Sequence, residues 1–449
     1  MNILRSSGLP DSKGKAGDQN HKHARRKTFR NFALHFRPVY VPERSLDLSL
    51  HWGLGIIATV LVFLLFASGL LLKFTYEPSL SGAHDSVNYL IQTVPFGQLL
   101  RNLHRWSANG LLMVVFLHFL RVFYTGAFIA PRQVNWIVGL VLFAAVVLSN
   151  FTGYLLPWDQ LAYWAVTIST SMLDYIPIAG PGLREWILGG TEPGPKTLVN
   201  FYAIHTALLP ALLLFFVPFH FWRIRKAKGL VIKRTPGAEP AAPGDMVEAM
   251  PHLFMREAAI VLVTFAVVLI VSMLYNAPLG ELANPGLSPN PTKAPWYFMG
   301  IQEMLIHFHP VFALLVIPGL LVLGLLSIPY INYEATAPGV WFHSVKGRKM
   351  ALTAAVFATV ATAGMVWLDD HLAAGYQAGP AGLVRNGLLP FAILLAVSAV
   401  FYLAIRKVFK ANNYEMVQAM FTLIVTSFVV LTAIGVWFRG AGMQLGWAG

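Results

Sequence analysis

Long apolar runs alternate with short polar segments along almost the whole chain. A helix needs about 20 residues to cross the hydrocarbon core of a bilayer, and nine runs approach or exceed that length. The pattern therefore predicts an all-α integral membrane protein with about nine transmembrane helices. The predicted spans are His51–Phe74, Leu103–Phe128, Asn135–Leu155, Leu198–Trp222, Glu257–Tyr275, Pro310–Ile331, Met350–Leu368, Gly387–Ile405 and Glu415–Trp437.

The composition supports lipid as the main solvent. Hydrophobic residues make up 56% of the chain and charged residues 12%, whereas a soluble domain carries about 25% charged residues. The net charge of +13 is located between the apolar runs, where basic residues set membrane orientation. This placement predicts contact with membrane lipid and no nucleic-acid partner. An inner, cytoplasmic N-terminus puts the basic clusters on one side, namely Arg25–Arg44, Arg223–Arg234, Lys346–Lys349 and Arg406–Lys410.

Two of the predicted spans each carry two histidines, which are functional candidates because ionisable residues are costly at membrane depth. His104 and His118 are 14 residues apart, and His205 and His220 are 15 apart. At 100° per residue each pair shares a helix face, with a rise of about 21 to 22.5 Å. Spans two and four run in the same direction, so His104 is level with His205 and His118 with His220.

Two facing imidazoles at each level are the ligand set of a six-coordinate haem iron. The sequence therefore predicts two haems b, stacked about 20 Å apart across the membrane. The absence of cysteine excludes a covalent haem c and a cysteine-ligated iron–sulfur cluster. Arg101 and Arg121 each lie three residues from a histidine, where arginine is suited to pair with haem propionates.

Glycines repeat the histidine spacing on the neighbouring spans. Gly55 and Gly69 on span one are 14 residues apart, as are Gly139 and Gly153 on span three. Glycine brings helices close together, and here it also gives a flat macrocycle the clearance it needs. The matched spacing supports two haem levels.

Three segments resemble cytochrome b of bc-type complexes, and most closely its b6 type. They are Arg101-Asn-Leu-His-Arg, His118-Phe-Leu-Arg-Val-Phe-Tyr-Thr-Gly and Gly153-Tyr-Leu-Leu-Pro-Trp-Asp-Gln. The step of 15 residues from His205 to His220 is also b6-like. The resemblance covers about 51–331.

The resemblance implies quinol oxidation at the outer side and quinone reduction at the inner side, coupled to proton translocation. His104 and His205 would hold the outer haem, and His118 and His220 the inner haem. It further implies a Rieske-type iron–sulfur subunit, a cytochrome c-type subunit, a homodimer and a bacterial cytoplasmic membrane.

The implied domain organisation has five parts. They are a disordered cytoplasmic tail at 1–28, a di-haem bundle at 29–222, a cytoplasmic linker at 223–256, quinol-site helices at 257–331 and additional transmembrane helices at 332–449. In b6-type relatives a separate subunit follows the fourth span, so this chain is expected to be a fused form. That subunit has three spans, so spans eight and nine exceed the pattern, and span nine has no assigned role.

The outer quinol site would be built from two long loops, Pro157–Lys196 and Pro278–His309. The family usually has Pro-Glu-Trp-Tyr in the second loop, whereas this chain has Ala294-Pro295-Trp296-Tyr297. Since proline carries no titratable group, we expect Glu303 to accept protons, with His307 or His309 passing them outward. The predicted catalytic residues are Glu303, Tyr297, Trp296 and Asp159.

The resemblance also implies an inner quinone site at the start of span five. His252, Arg256 and Glu257 offer a cation and a carboxylate that could hydrogen-bond and protonate a quinone carbonyl. The cysteine that anchors an extra haem in b6 relatives is absent here.

Two alternatives stay open from the sequence. A di-haem membrane anchor of a dehydrogenase or hydrogenase would share the paired histidines, but its ligand spacing and loops would differ. A haem-free transporter could use charged residues along a permeation path, but the two halves show no inverted repeat.

Overall fold

The computed structural model describes residues 40–47, 52–227, 229–231, 246–333, 339–372 and 379–446. The predicted disordered tail at 1–28 lies outside the described residues. So does the middle of the predicted linker, at 232–245.

In the described residues, nine helices are long and apolar enough to cross a membrane. These helices confirm the predicted fold class, and each predicted span corresponds to one of them. The spanning helices are α1 (Leu54–Leu72), α3 (Gly97–Tyr124), α4 (Gln133–Leu155), α7 (Pro195–Lys226), α8 (Ala249–Leu274), α10 (Val311–Tyr330), α11 (Val345–Leu372), α12 (Leu383–Phe409) and α13 (Asn413–Trp437). Shorter helices are α2 (Gly82–Gln92), α5 (Gln160–Ser171), α6 (Gly180–Leu188) and α9 (Met299–His307).

Prolines explain the π-helical stretches inside α7, α10 and α12. These stretches are Ile204–Leu208, Val311–Val316 and Leu383–Leu388, and a proline follows each within two residues. Because proline has no N–H, the carbonyl four residues earlier loses its helical partner. In α12, Pro390 releases the Asn386 carbonyl, which instead accepts the His309 N–H at 2.6 Å.

The first four spanning helices share an apolar core. Its buried residues include Leu61 and Leu64 from α1, Leu111 from α3 and Val146 from α4. A second core joins α11, α12 and α13 through small and large residues, among them Ala354, Ala358, Phe401, Ile405 and Ala419. Alanines at such contacts let helix backbones approach closely.

The chain divides into two compact units, 48–235 with 260–449, and 1–47 with 236–259. In the smaller unit, strand β1 (Tyr40–Pro42) pairs antiparallel with strand β2 (Met246–Glu248). Among its described residues, Val41, Leu46 and Ala249 form a buried apolar cluster. The strand pairing was not predicted, since three-residue strands leave almost no periodic signal.

Candidate functional site

The structure brings the rings of His104 in α3 and His205 in α7 next to each other. Their ring centroids are 6.3 Å apart, and the ring planes are inclined by 75°. A metal–imidazole bond is about 2 Å long, so one iron atom can be accommodated between the two rings. His205 lies in a π-helical stretch, a feature that is frequent at functional sites.

Two hydroxyl groups orient this outer pair of rings. Ser68 in α1 and Thr152 in α4 donate to the carbonyl one turn earlier, at 2.6 and 2.8 Å. Each hydroxyl oxygen can then accept an imidazole Nδ1–H, from His104 at 2.9 Å and from His205 at 3.1 Å. The proton of both rings is thereby placed on Nδ1, which leaves Nε2 free to bind a metal.

Glycines lie against both rings of the outer pair. A Cβ atom added to Gly69 would stand 3.1 Å from Cε1 of His104, and one added to Gly153 would stand 2.6 Å from Cε1 of His205. The glycines therefore give the imidazoles the space in which they sit. Their predicted clearance for a macrocycle stays a prediction.

His118 and His220 form the corresponding inner pair. A Cβ atom on Gly55 would lie 3.8 Å from Cε1 of His118, and one on Gly139 would lie 3.8 Å from Cε1 of His220. Unlike the outer rings, His220 has no hydrogen-bond partner for Nδ1 among the described residues. The two levels thus share their glycine contacts and differ in their polar surroundings. Together these residues fit a haem at each level.

Hydrogen bonds join the first turns of α3 to the last turn of α8 and to the residues that follow it. Arg101 donates to the carbonyls of Ala277 and Pro278, both at 2.6 Å. Asn102 donates to the Ser272 carbonyl at 2.8 Å and accepts the Ala277 N–H at 2.8 Å. These bonds fix the point at which the chain enters the second outer loop. The propionate contacts of Arg101 and of the buried Arg121 stay predictions.

Side-chain hydrogen bonds join the two outer loops. Asp159 caps α5 by accepting the Ala162 N–H at 2.9 Å, and its other oxygen accepts the Gly280 N–H at 2.9 Å. Gln160 next to it accepts the Asn284 N–H at 2.6 Å. Both oxygens of Asp159 therefore hold the loops together, and its catalytic role stays a prediction.

The segment Trp296–Phe298 lies against the haem-bundle helices. Trp296 donates its indole N–H to Asn109 in α3 at 3.3 Å, and Phe298 packs edge-on against Phe151 in α4, with centroids 5.4 Å apart. The Tyr297 hydroxyl is buried and has no hydrogen-bond partner among the described residues. Burial raises the pKa of Tyr297, so its phenol stays protonated.

Two residues of α9, Glu303 and His307, belong to a group of ionisable side chains. We call this group the outer charge cluster, and its members are Glu303, His307, Asp369, Asp370 and Arg439. Arg439 Nε is 3.0 and 3.1 Å from the two Glu303 oxygens, and its Nη1 is 2.6 Å from Asp370. His307 Nε2 is 3.2 Å from Glu303, and its Nδ1 is 2.6 Å from Asp369. The Glu303 side chain is fully buried and that of Asp369 is 41% exposed, so the cluster reaches from the interior to the surface.

Charge pairing sets the ionisation of this cluster. Burial acts to raise the pKa of Glu303, but hydrogen bonds from His307 and Arg439 and their charges hold it below its usual value. Burial acts to lower the pKa of His307, but hydrogen bonds to Asp369 and Glu303 and their charges raise it to about 9. At neutral pH Glu303 is therefore ionised and His307 is protonated on both nitrogens.

Comparisons with known proteins identify the fold. A sequence model described as Cytochrome b/b6/petB matches residues 40–228. Cytochrome b6 of Acaryochloris marina is 41% identical over 187 residues, which are 42% of this chain and 86% of the relative. Cytochrome b6 of Tupiella akineta is 42% identical over the same shares. The chain belongs to the cytochrome b/b6 family.

A solved structure extends the likeness beyond the b6 part. A chain of a hyperthermophilic respiratory Complex III superposes with a TM-score of 0.60 at 26% identity, covering 85% of this chain and 92% of that one. The chain is thus an integral membrane cytochrome b of the bc type, a b-haem-binding subunit of an oxidoreductase complex. Family membership disfavours both a haem-free transporter and a dehydrogenase anchor.

Three members of the outer charge cluster were missed from the sequence: Asp369, Asp370 and Arg439. The sequence did contain a signal for them, because acidic residues follow span seven and a basic residue follows span nine, at the ends predicted to lie on the outer side. His309, one of the two proposed proton carriers, donates its N–H to the Asn386 carbonyl at 2.6 Å and its Nδ1 accepts the Val311 N–H at 3.3 Å.

The residues of the predicted inner quinone site lie at the start of α8, in the smaller unit. Arg256 donates to the Leu46 carbonyl at 3.1 Å. His252 is exposed and Glu257 is half-buried. A contact of these residues with quinone stays a prediction.

Proposed function

We propose that the chain oxidises quinol at its outer side and passes one electron across the membrane, through two haems b, to quinone at its inner side. The observation that carries this proposal is the placement of four histidines on α3 and α7, with the His104 and His205 rings 6.3 Å apart and a glycine against each of the four rings. The free Nε2 atoms of the outer pair favour metal binding over a structural role.

The haems supply one-electron redox chemistry when bound, and the protein orients their ligands. Trp296 and Tyr297 would form a wall of the outer quinol site, and Asp159 would hold its two loops together. Tyr297 stays protonated and so can donate a hydrogen bond to a quinol oxygen. Oxidation of the quinol releases two electrons and two protons, and the protons must reach the outer water.

Glu303 would accept one of these protons and pass it to His307. The hydrogen bonds from Glu303 through His307 to Asp369 support this route, since they end at a half-exposed carboxylate. The protonated ring of His307 can release its Nδ1 proton to Asp369. The neutral ring then moves its remaining proton from Nε2 to Nδ1, so that Nε2 can receive the proton from Glu303. The low pKa of Glu303 prevents the proton from remaining there.

The partners of the chain would complete the reaction. A Rieske-type iron–sulfur subunit would take the other electron, and a cytochrome c-type subunit would receive it. Quinone reduction at the inner side would use His252, Arg256 and Glu257. The complex would be a homodimer in the bacterial cytoplasmic membrane, with the N-terminus of this chain on the inner side.

A dithionite-reduced-minus-oxidised spectrum of the purified complex, with pyridine haemochrome quantification, tests the proposal. We expect two haems b per chain, and the loss of one in each of the variants His104→Ala and His220→Ala. A parent chain with one haem or none, or one that does not oxidise added quinol, would refute the function.

A further inference from the structure

The end of α13 and the residues after it hold the second outer loop at several points. Lys293 in that loop donates its ammonium group to the Val436 carbonyl at 2.9 Å. The Gly442 N–H donates to the side chain of Asn290 at 2.6 Å. Residues 290–307 are therefore held by a part of the chain, 436–442, that lies beyond the segment shared with the b6 relatives.

Helix α9 packs closely on α13. A Cβ atom on Gly300 would stand 2.7 Å from the Thr432 hydroxyl and from the Phe428 ring, and one on Gly435 would stand 2.9 Å from Met299. Glycines on both helices thus let the two backbones approach. Met299 and Gly300 follow Trp296–Phe298 directly, so α13 determines where that segment is placed against α3 and α4.

Arg439 is the polar centre of this contact. Its side chain is 1% exposed, and it pairs with the fully buried Glu303 through two guanidinium nitrogens and with Asp370 through the third. A guanidinium that binds a carboxylate through two nitrogens restricts both position and rotation. Arg439 also donates to the Met443 carbonyl at 3.1 Å, which joins the terminal segment to the same point.

We propose that Arg439 is a positioning residue of the outer quinol site, which fixes Glu303 and α9, and through them the Trp296–Phe298 segment. The proposal rests on the proposed function and assigns a role to the ninth spanning helix. Arg439 acts through Glu303, since its contacts are with Glu303, Asp370, His307 and a backbone carbonyl.

The test compares four variants of the full complex in membranes: Arg439→Gln, Arg439→Lys, Glu303→Gln/Arg439→Gln and, as a matched control, Arg184→Gln. Arg184 also lies in an outer loop and pairs with a carboxylate, Asp174, but is partly exposed. Haem content is measured first, then kcat, KM and the pH profile for oxidation of a short-chain quinol.

We expect every variant to keep the parent's haem content, because none of these residues contacts the four histidines. Arg439→Gln should lower kcat at least tenfold and move the acid limb of the pH profile to higher pH, since Glu303 loses its cation. Arg439→Lys should return the acid limb to the parent's pH because lysine keeps the positive charge. It should restore only part of kcat, because lysine lacks the planar guanidinium that binds a carboxylate through two nitrogens. Arg184→Gln should match the parent.

The double variant guards against a folding defect, because it does not leave the fully buried carboxylate of Glu303 without its Arg439 cation. We expect it to hold two haems and to turn over more slowly than the parent by at least tenfold. Parent-like kcat, KM and pH profile in either the double variant or Arg439→Gln would overturn the role of Arg439. A parent complex without quinol oxidation would instead overturn the proposed function.

Discussion

Gly153 in α4 lies directly against the imidazole of His205 in α7, so that an added Cβ atom would stand 2.6 Å from Cε1 of that ring. Real Cβ atoms essentially never come so close. The backbone of α4 therefore sets the position of a ligand that belongs to another helix.

Gly153→Ala should displace His205 and lower the haem content of the outer level. The expected result is loss of about one haem of two, measured by pyridine haemochrome, since a close-packed interior leaves no space for a methyl group between the α4 backbone and the ring. Gly110→Ala is the control, because its Cβ would meet only Leu61 at an ordinary 3.7 Å. An unchanged haem content in Gly153→Ala would show that the ring has room to move.

Ser68→Ala and Thr152→Val should each raise the midpoint potential of the outer haem and leave the inner one unchanged. A hydrogen bond from Nδ1–H makes imidazole a stronger donor to the metal, which favours the oxidised iron. A bond of about 1 kcal/mol corresponds to a shift of about 40 mV for one electron. Redox titration of the two haems measures it.

Thr59→Val is the control for this pair of variants. The Thr59 hydroxyl also donates to the carbonyl one turn earlier in α1, but it is not bonded to a histidine. A shift of both haems, or an equal shift in Thr59→Val, would contradict the assignment of the hydroxyls to the outer ligands.

Glu303→Gln should slow quinol oxidation and leave both haems in place. Amide in place of carboxylate removes a proton acceptor, and general base catalysis contributes about 100- to 10,000-fold, so we expect at least a tenfold fall in kcat. The exposed Glu185→Gln is the charge-matched control in the first outer loop. Parent-like turnover in Glu303→Gln would refute proton transfer through this residue.

The outer charge cluster should lose stability on both sides of a pH window. Because the pKa of His307 is raised, its contribution to the free energy of unfolding is fully present below about pH 6.5 and is lost as the pH rises through about 9. Because the pKa of Glu303 is lowered, its contribution to the free energy of unfolding is fully present above about pH 4.5. This contribution is lost as the pH falls through the pKa that Glu303 has in the folded protein.

Hydrogen exchange of the α9 amides, corrected for intrinsic rates, measures the upper edge of this window. Protection should fall near pH 9 in the parent, and that step should be absent from His307→Gln. The same step in the variant would mean that another group titrates.

Local pattern explains what the sequence could predict. The nine spans follow from apolar length, and the histidine pairs follow from spacing within single helices. Glu303 and Arg439 are 136 positions apart, so their pairing depends on how α9 and α13 pack, which no periodicity encodes. Arg101 shows the same limit, because its place beside His104 was predictable while its bonds to the end of α8 were not.

The contacts of α3 with the end of α8 have a consequence for chain continuity. Asn102 binds residues on the far side of the linker, and β1 pairs with β2 across the same interval. A polypeptide cut within 232–245 would keep both sets of bonds between its two fragments. The two halves should thus assemble when they are made as separate chains. Folding would then not require the covalent connection between the haem bundle and the quinol loop, and the fusion would reflect the organisation of the gene.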